Sequence, residues 1–509
     1  MPLADKASAW LAARSFRQRL VLSFAVGTVA GLGQAPFDLP LVSVLGFAAL
    51  IGLLMQVGTA RRGFWLGMWG GAGYFTVSLH WIVEPFFVDP VRHGWMAPFA
   101  IALMSFGLAL FWALAAGLAV RLAKPGWPRA LAWAVLMTVA ELARASVLTG
   151  FPWAHPGHIW IDTALLPLAS LVGPHGLTLY TTFMAAVLAA LVIQRSRVAL
   201  GVPLVHVAMI GLALAMPPAP LPAADAAVVR LVQPNAAQHL KWQPEMIPIF
   251  FERAINLTAA LPQIEDRPPA MVIWPETSLA ALLNQSEDWR AVISDAAGPV
   301  PVILGAQRLE GVTARNSLAL LDETGAISAI YDKHHLVPFG EYVPLGDLMA
   351  QAGIRGLAAA LQTGYRPGVG PTVLDLGDLG DAFLMICYEA IFPSYIRQVD
   401  RPDWMIHITN DAWFGQFSGP YQHLALARLR AAEQGIPVIR AANTGVSGAI
   451  DARGRVVSHL PLGVAGALDV VLPPPLPPTV YARFGDLPVY LVILATFLGL
   501  VLAHRRNRH

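Results

Sequence analysis

Eight long apolar runs constrain this chain more than any other feature, because about 20 consecutive apolar residues is the length needed to cross a bilayer as a helix. Seven precede Pro217, at about Leu20–Gln34, Leu39–Val57, Phe64–Val83, Trp95–Val120, Ala130–Leu148, Leu165–Ile193 and Val198–Met216. The eighth is Leu487–Ala503. The first is short, and Gly173–Pro174 interrupts the sixth. Only 13% of the 509 residues are charged and 56% are apolar, whereas a soluble domain carries roughly 25% charged residues. The first run reads as a retained anchor, since no small-residue cleavage site follows it. Residues 1–216 are therefore expected to form an α-helical membrane domain with seven transmembrane helices, and residues 487–503 a further span.

Basic residues orient the spans. Arg14, Arg17 and Arg19 precede the first, and Arg61 and Arg62 separate the second from the third. Arg121, Lys124 and Arg129 lie between the fourth and fifth, Arg195 and Arg197 between the sixth and seventh, and Arg505, Arg506 and Arg508 follow the last. In the alternate loops Arg92 is the clear exception. Both termini are then cytoplasmic. The long insert before the last span lies on the far side, which in a bacterial inner membrane is the periplasm. Glu141 and Arg144, one helical turn apart in the fifth span, are costly in lipid unless paired. A mutual ion pair is the simpler expectation for them, and a phosphate head-group site the alternative.

Proline-rich breaks at Pro217–Pro222 and Pro473–Pro478 bound this insert, residues 225–473. Within it, short apolar strands alternate with helical stretches such as Pro244–Leu261 and His423–Gln434. The strands expected are Ala227–Val232, Met271–Trp274, Val300–Leu304, Ser317–Asp322, Ala326–Tyr331, Asp381–Ile386, Trp404–Ile408, Val438–Arg440, Ser447–Asp451 and Val464–Val471. That pattern belongs to a layered α/β domain with one buried core.

Three strand ends carry chemistry. In AFLMICYEAIFP (Ala382–Pro393) a buried strand ends on Cys387, the only cysteine, and turns toward a helix near Tyr388 or Glu389. A helix N-terminus there favours a thiolate, although a lone cysteine behind an apolar strand is more often a small buried hydrophobe. MVIWPET (Met271–Thr277) delivers Glu276 behind a proline stop. YDKHHLVPFGEYVP (Tyr331–Pro344) carries Lys333 and Glu341. Taken singly, such residues usually face solvent. In the order Glu276, Lys333, Cys387 they resemble the Glu–Lys–Cys triad of the nitrilase (carbon–nitrogen hydrolase) superfamily.

Other stretches narrow the likeness. VQPNAAQHLKW (Val232–Trp242), LVPFGEYVP (Leu336–Pro344), CYEAIFP (Cys387–Pro393), NDAWFG (Asn410–Gly415) and TGFPW (Thr149–Trp153) resemble the apolipoprotein N-acyltransferase family, over nearly the whole chain. The resemblance implies an α-β-β-α sandwich for the insert and a catalytic role for its triad. Glu276 would be the general base. Cys387 would attack a phospholipid acyl ester to form a thioester. Lys333 and the backbone N–H of Tyr388 would hold the oxyanion. The acceptor implied is the N-terminal α-amine of a diacylglyceryl-cysteine lipoprotein.

By the same resemblance Glu341 supports the triad, and Asn316 and Glu389 shape the site. From the residues alone, Asn316 reads equally as a turn residue before a strand, and Glu389 as a carboxylate at a helix N-terminus. Trp242 and Trp413 are candidate substrate-binding residues, although a Trp following a strand is more often core. Leu345–Leu361 is broadly apolar and reads either as an interfacial arm or as a helix packed on its own domain.

No cofactor is expected. His155, His158, His334 and His335 lack a ligand set and read as loop histidines rather than metal ligands. A net charge of +2, with no basic run interleaved with aromatics, gives no reason to expect nucleic acid. The rival enzyme reading is a membrane-tethered amidase or nitrilase that resolves the thioester with water. A transporter or receptor is disfavoured because the spans show no internal repeat.

Overall fold

The computed structural model describes residues 13–194, 201–265, 267–344 and 364–506. The expected arm Leu345–Leu361 lies outside the described residues. The chain divides into two units. One comprises Met1–Val83, Arg92–Pro217 and Pro478–His509, and the other Glu84–Val91 and Pro218–Pro477.

The first unit is helical, with Phe16–Gly31, Pro40–Met55, Ala60–Ser78, Ala97–Leu122, Trp127–Arg144, Ala169–Gln194, Gly201–Ala215 and Leu487–Arg506 as its main helices. Small residues let the helix axes approach closely. A Cβ on Gly27 would fall 2.0 Å from the Gly70 carbonyl oxygen, and one on Gly73 2.1 Å from that of Phe24. Two helical runs, Pro90–Leu122 and Leu166–Ile193, are long and apolar enough to cross a membrane. Pro40–Met55 is apolar but shorter. At 1.5 Å per residue a helix of about 16 residues rises roughly 24 Å, short of the roughly 30 Å hydrocarbon core. By length and composition, two of the eight expected spans are met among the described residues.

The break expected at Gly173–Pro174 is present. Gly173 has φ +64°, and Tyr481 packs where a side chain would stand. Glu141 and Arg144 pair with each other. Trp112 Nε1 donates to the same carboxylate at 2.7 Å, and His155 Nδ1 lies 2.7 Å from it. The pair is thus enclosed by protein partners.

The second unit holds two sheets. The strands of the first are β1 (Val228–Gln233), β2 (Met271–Ile273), β3 (Leu279–Leu282), β4 (Val302–Glu310), β5 (Thr313–Leu321) and β6 (Ile327–Asp332). Those of the second are β7 (Val373–Asp375), β8 (Asp381–Ile386), β9 (Trp404–Thr409), β10 (Val438–Ala442), β11 (Ser447–Ile450) and β12 (Val456–Leu460). The last strand, β13 (Gly466–Val471), returns to the first sheet, whose order is β13-β1-β2-β4-β5-β6 with β3 paired to β4. The second sheet runs β12-β11-β10-β9-β8-β7. Its centre, β8-β9-β10, is parallel, so these strands are buried on both faces and read as mostly apolar runs, interrupted by His407 and Arg440.

Alternation within each strand builds the layers. Val229, Leu231, Ile273 and Ile303 of the first sheet pack against Leu384, Ile386, Ile406 and Ile408 of the second. On the outer face of the first sheet, Val232, Val272 and Trp274 pack with Ala254 of the helix Ile247–Thr258 and Ile293 of the helix Glu287–Ala297. Phe383, Met385 and Met405 cover the other outer face with Ala427 and Ala431 of the helix Gly419–Gln434. The fold is therefore an α-β-β-α sandwich, as the resemblance implied.

Three strands escaped the sequence reading: β3, β7 and β12. The first two are only four and three residues long, and β12 alternates between half-buried and exposed positions. One boundary error matters for the site. The strand expected from Ser317 begins at Thr313, so Asn316 lies inside β5, not in a turn before it.

Candidate active site

The nucleophile turn is built from the end of β8. The strand delivers Cys387 at φ +52°, a left-handed backbone that a side chain with a Cβ adopts only when its surroundings hold it there. A single short 3-10 helix, Cys387–Ile391, follows. Glu389 fastens this turn: its Oε2 accepts from the Ile386 N–H at 2.8 Å. Its Oε1 accepts from the Tyr331 hydroxyl at 2.9 Å and the His334 N–H at 2.7 Å. Glu389 thus acts both as a helix N-terminal carboxylate and as the tie to the loop after β6. His334 and His335 sit in that loop, and the His335 ring packs on Tyr388 and Phe392.

Glu276 arrives just past β2, and the next residue, Thr277, is also left-handed at φ +47°. A Cβ on Gly305 of β4 would lie 2.5 Å from Glu276 Cα, so only glycine lets β4 pass this close. Glu276 Oε1 accepts from Asn316 Nδ2 at 2.7 Å, and Oε2 accepts from the Asn410 N–H at 2.9 Å. Lys333 follows β6 with its ammonium 2.9 Å from Glu341 Oε1 and 3.6 Å from Glu276 Oε1. Asn316 Nδ2 also donates to Glu341 Oε1 at 3.1 Å, and the Val337 N–H donates to its Oε2 at 2.8 Å. Asn316 therefore bridges the two carboxylates that flank Lys333.

All these side chains are buried, and Lys333 is only 1% exposed. Burial works against the Lys333 charge, but Glu341, Glu276 and Cys387 outweigh it and hold its pKa above the ordinary lysine value. Burial, then the Glu276 carboxylate, pushes the Cys387 thiol well above its ordinary pKa, against the pull of Lys333 and a hydrogen bond with Thr409. This corrects the expectation of a thiolate stabilised by a helix N-terminus. One short 3-10 turn carries little dipole, and desolvation of the charge is the larger effect.

Trp242 is 42% exposed, not core, and its ring lies beside the Lys241 ammonium. Trp413 is half-buried and closes the short helix Asp411–Trp413. Tyr388 is buried against Phe392.

Several neighbours of the triad went unnoticed in the sequence. Lys241 donates to Thr277 Oγ1 at 2.9 Å, and burial lowers its pKa to about 8 against the opposing pull of Glu276. Tyr365 accepts from Gln307 Nε2 at 2.6 Å and lies within the field of Glu341, Glu276 and Lys333. Asn410 opens the NDAWFG stretch directly after β9, and that placement was the available signal. Behind Cys387, the side chains of His407, Asp411, His423 and Arg440 form one buried cluster. Among the described residues no group of three or more His, Cys, Asp or Glu side chains is arranged to hold a metal.

Residues 232–472 match the carbon–nitrogen hydrolase family, and residues 26–187 match the apolipoprotein N-acyltransferase N-terminal domain. An apolipoprotein N-acyltransferase of Rhodopseudomonas palustris is 37% identical, with 96% of each chain covered. One from Caulobacter vibrioides is 39% identical over 95% of this chain and 94% of its own. The chain belongs to the apolipoprotein N-acyltransferase family. Among solved structures, an amidase from Nesterenkonia sp. is 18% identical over 50% of this chain and 92% of its own, at a TM-score of 0.36. The family assignment makes the chain an acyltransferase of the carbon–nitrogen hydrolase superfamily.

Proposed function

We propose that the chain transfers a fatty acyl group from a phospholipid, through a thioester on Cys387, to the N-terminal α-amine of a diacylglyceryl-cysteine lipoprotein. The observation that carries this reading is the convergence of Glu276 after β2 with Lys333 and Glu341 from the loop after β6, in a buried site that also holds Cys387. In the first half-reaction Glu276 takes the thiol proton as sulfur attacks the ester carbonyl. Lys333 and the Tyr388 N–H hold the tetrahedral oxyanion. The C–O bond then breaks, and Glu276 returns the proton to the departing glycerol oxygen, releasing lysophospholipid. In the second half-reaction the amine attacks the thioester, Glu276 takes its proton, and the C–S bond breaks to regenerate the thiol. Glu341 and Asn316 keep Lys333 and Glu276 in place, Glu389 holds the nucleophile turn, and Trp242 and Trp413 contact the lipid substrates.

Both substrates are lipids, which the apolar helical unit suits. We place the helical segments 1–216 and 487–503 in the bacterial inner membrane as eight crossings, with both termini cytoplasmic and residues 225–473 in the periplasm. The alternation of basic loops supports that orientation. The amidase alternative rests on the triad alone, which both reactions share.

Phospholipid without acceptor tests the scheme. Intact-protein mass spectrometry should show one acyl chain on Cys387, removable by neutral hydroxylamine, together with released lysophospholipid. A diacylated lipopeptide should clear the adduct and gain an N-terminal amide. Turnover with lipopeptide but no adduct without it would indicate direct transfer, and release of free fatty acid would favour the amidase.

A further inference from the structure

Behind the nucleophile, the carbonyl oxygen of Cys387 is faced by two imidazoles. His407 Nε2 and His423 Nε2 each lie 3.1 Å from it. They arrive from different elements, His407 from the middle of β9 and His423 from the helix Gly419–Gln434. Their rings cross at 80° with centroids 5.0 Å apart, and both residues are fully buried.

Proton bookkeeping fixes the state of His407. Arg440, its lateral neighbour on β10, places Nη1 2.8 Å from His407 Nδ1. A guanidinium only donates, so Nδ1 must accept, and the ring proton is left on Nε2, aimed at the Cys387 carbonyl. Burial, then Arg440, holds the His407 pKa well below the ordinary value, in keeping with a neutral ring. Arg440 is itself held by the Val446 carbonyl at 3.1 Å and by the Asp411 carboxylate. Asp411 in turn accepts from His423 Nδ1 and from Thr409 Oγ1, each at 2.9 Å, which leaves the neutral His423 ring without a proton on Nε2, so it packs beside the carbonyl and does not donate to it. A Cβ on Gly445 would meet Asp411 Oδ2 at 2.1 Å, so the cluster also excludes a side chain there.

The Cys387 carbonyl and the Tyr388 N–H belong to one peptide group, which is planar and trans, so the two point in opposite directions. Whatever grips the oxygen aims the N–H. We propose that His407, fixed in one tautomer by Arg440, with His423 beside it, positions the oxyanion-binding N–H of Tyr388 by holding the far end of the same peptide. This rests on the proposed role of that N–H in the transfer reaction. A hydrogen bond to the carbonyl also polarises the amide and strengthens its N–H as a donor. The cluster further keeps the left-handed Cys387 backbone from relaxing. His407 and Arg440 are thus positioning residues, because they reach the reaction only through this peptide.

Cys387 is the only cysteine, so feeding 1-13C-cysteine labels a single carbonyl in the full chain, and isotope-edited infrared spectroscopy reads its hydrogen bonding. The band should lie at low frequency in the wild type, shift up in His407→Met and stay low in His407→Gln, whose amide can replace the Nε2–H. A wild-type band at the frequency of a free carbonyl overturns the proposal, whether or not either variant folds. In nanodiscs, His407→Met should load acyl groups about 10²-fold more slowly with little change in phospholipid KM, and His407→Gln should recover most of that loss. Alkylation of Cys387 by iodoacetamide forms no oxyanion and should keep its wild-type rate in both variants. Normal loading in His407→Met overturns the inference and leaves the triad intact. An equal fall in loading and alkylation also overturns it, by showing general damage to the site. Cys387→Ala distinguishes the two claims, since transfer surviving in that variant sinks the triad scheme itself.

Discussion

Burial and the nearby Glu276 carboxylate push the Cys387 thiol above its ordinary pKa, so the attacking thiolate has to be made during the reaction by a base. A raised pKa leaves the sulfur protonated at neutral pH and ionised only in more alkaline solution. The rate of iodoacetamide alkylation should therefore keep rising above about pH 9, where an ordinary cysteine has levelled off. A plateau near pH 8 would show a stabilised thiolate instead. Cys387→Ala should fold and lose all acyl transfer, and Cys387→Ser should be nearly inactive, because a hydroxyl is far harder to deprotonate. Glu276→Gln should block loading of the acyl group, and Lys333→Ala should slow it by about 10²–10³-fold, the effect of one oxyanion donor. Loading at the wild-type rate in either variant would remove that residue from the scheme. The three triad side chains were legible because each follows an apolar strand in a stretch with a recognisable pattern. Lys241, Thr409 and Arg440 were not, since a Lys, Thr or Arg acquires its meaning from a partner far away in the chain.

Two elements set the precision of the site. Strand β4 runs directly behind Glu276, where Gly305 leaves no room for a methyl group. Gly305→Ala should displace Glu276 and slow loading more than it lowers Tm, and a variant with normal loading would show that β4 yields instead. Glu389 serves the nucleophile turn in the same way. Glu389→Ala would strand the buried N–H of Ile386 and the part-buried N–H of His334. At roughly 1–3 kcal/mol for a buried group left unpaired, Tm should fall by several degrees, and an unchanged Tm would mean that water replaces the carboxylate. The parallel strands β8, β9 and β10 could be read from sequence because burial on both faces leaves a mostly apolar run. Short edge strands such as β7 carry too few residues to show a period. Asn316 was misplaced for a related reason, since the polar start of β5 hides a strand that its pairing with β4 makes plain.

For the whole chain, orientation is the property most open to test, because removing Cys387 leaves no other cysteine. In a Cys387→Ala background, Gly58→Cys and Lys124→Cys should resist impermeant thiol reagents in intact cells, while Asp162→Cys should react. The reverse pattern would place the catalytic unit in the cytoplasm and discard the lipoprotein substrate. Hydropathy, basic-loop alternation and strand-end motifs are local properties. They were enough to expect an apolar helical part, a layered α/β part and a Glu–Lys–Cys chemistry. Helix length is less legible than apolarity, since the apolar run Leu39–Val57 forms a helix of only 16 residues, Pro40–Met55. Nor could spacing reveal that burial outweighs the helix terminus at Cys387, that Asn316 joins two carboxylates around Lys333, or that His407 holds the nucleophile's carbonyl. Those depend on contacts between residues carried on different strands and loops, which exist only once the strands have paired and the helices have packed on them.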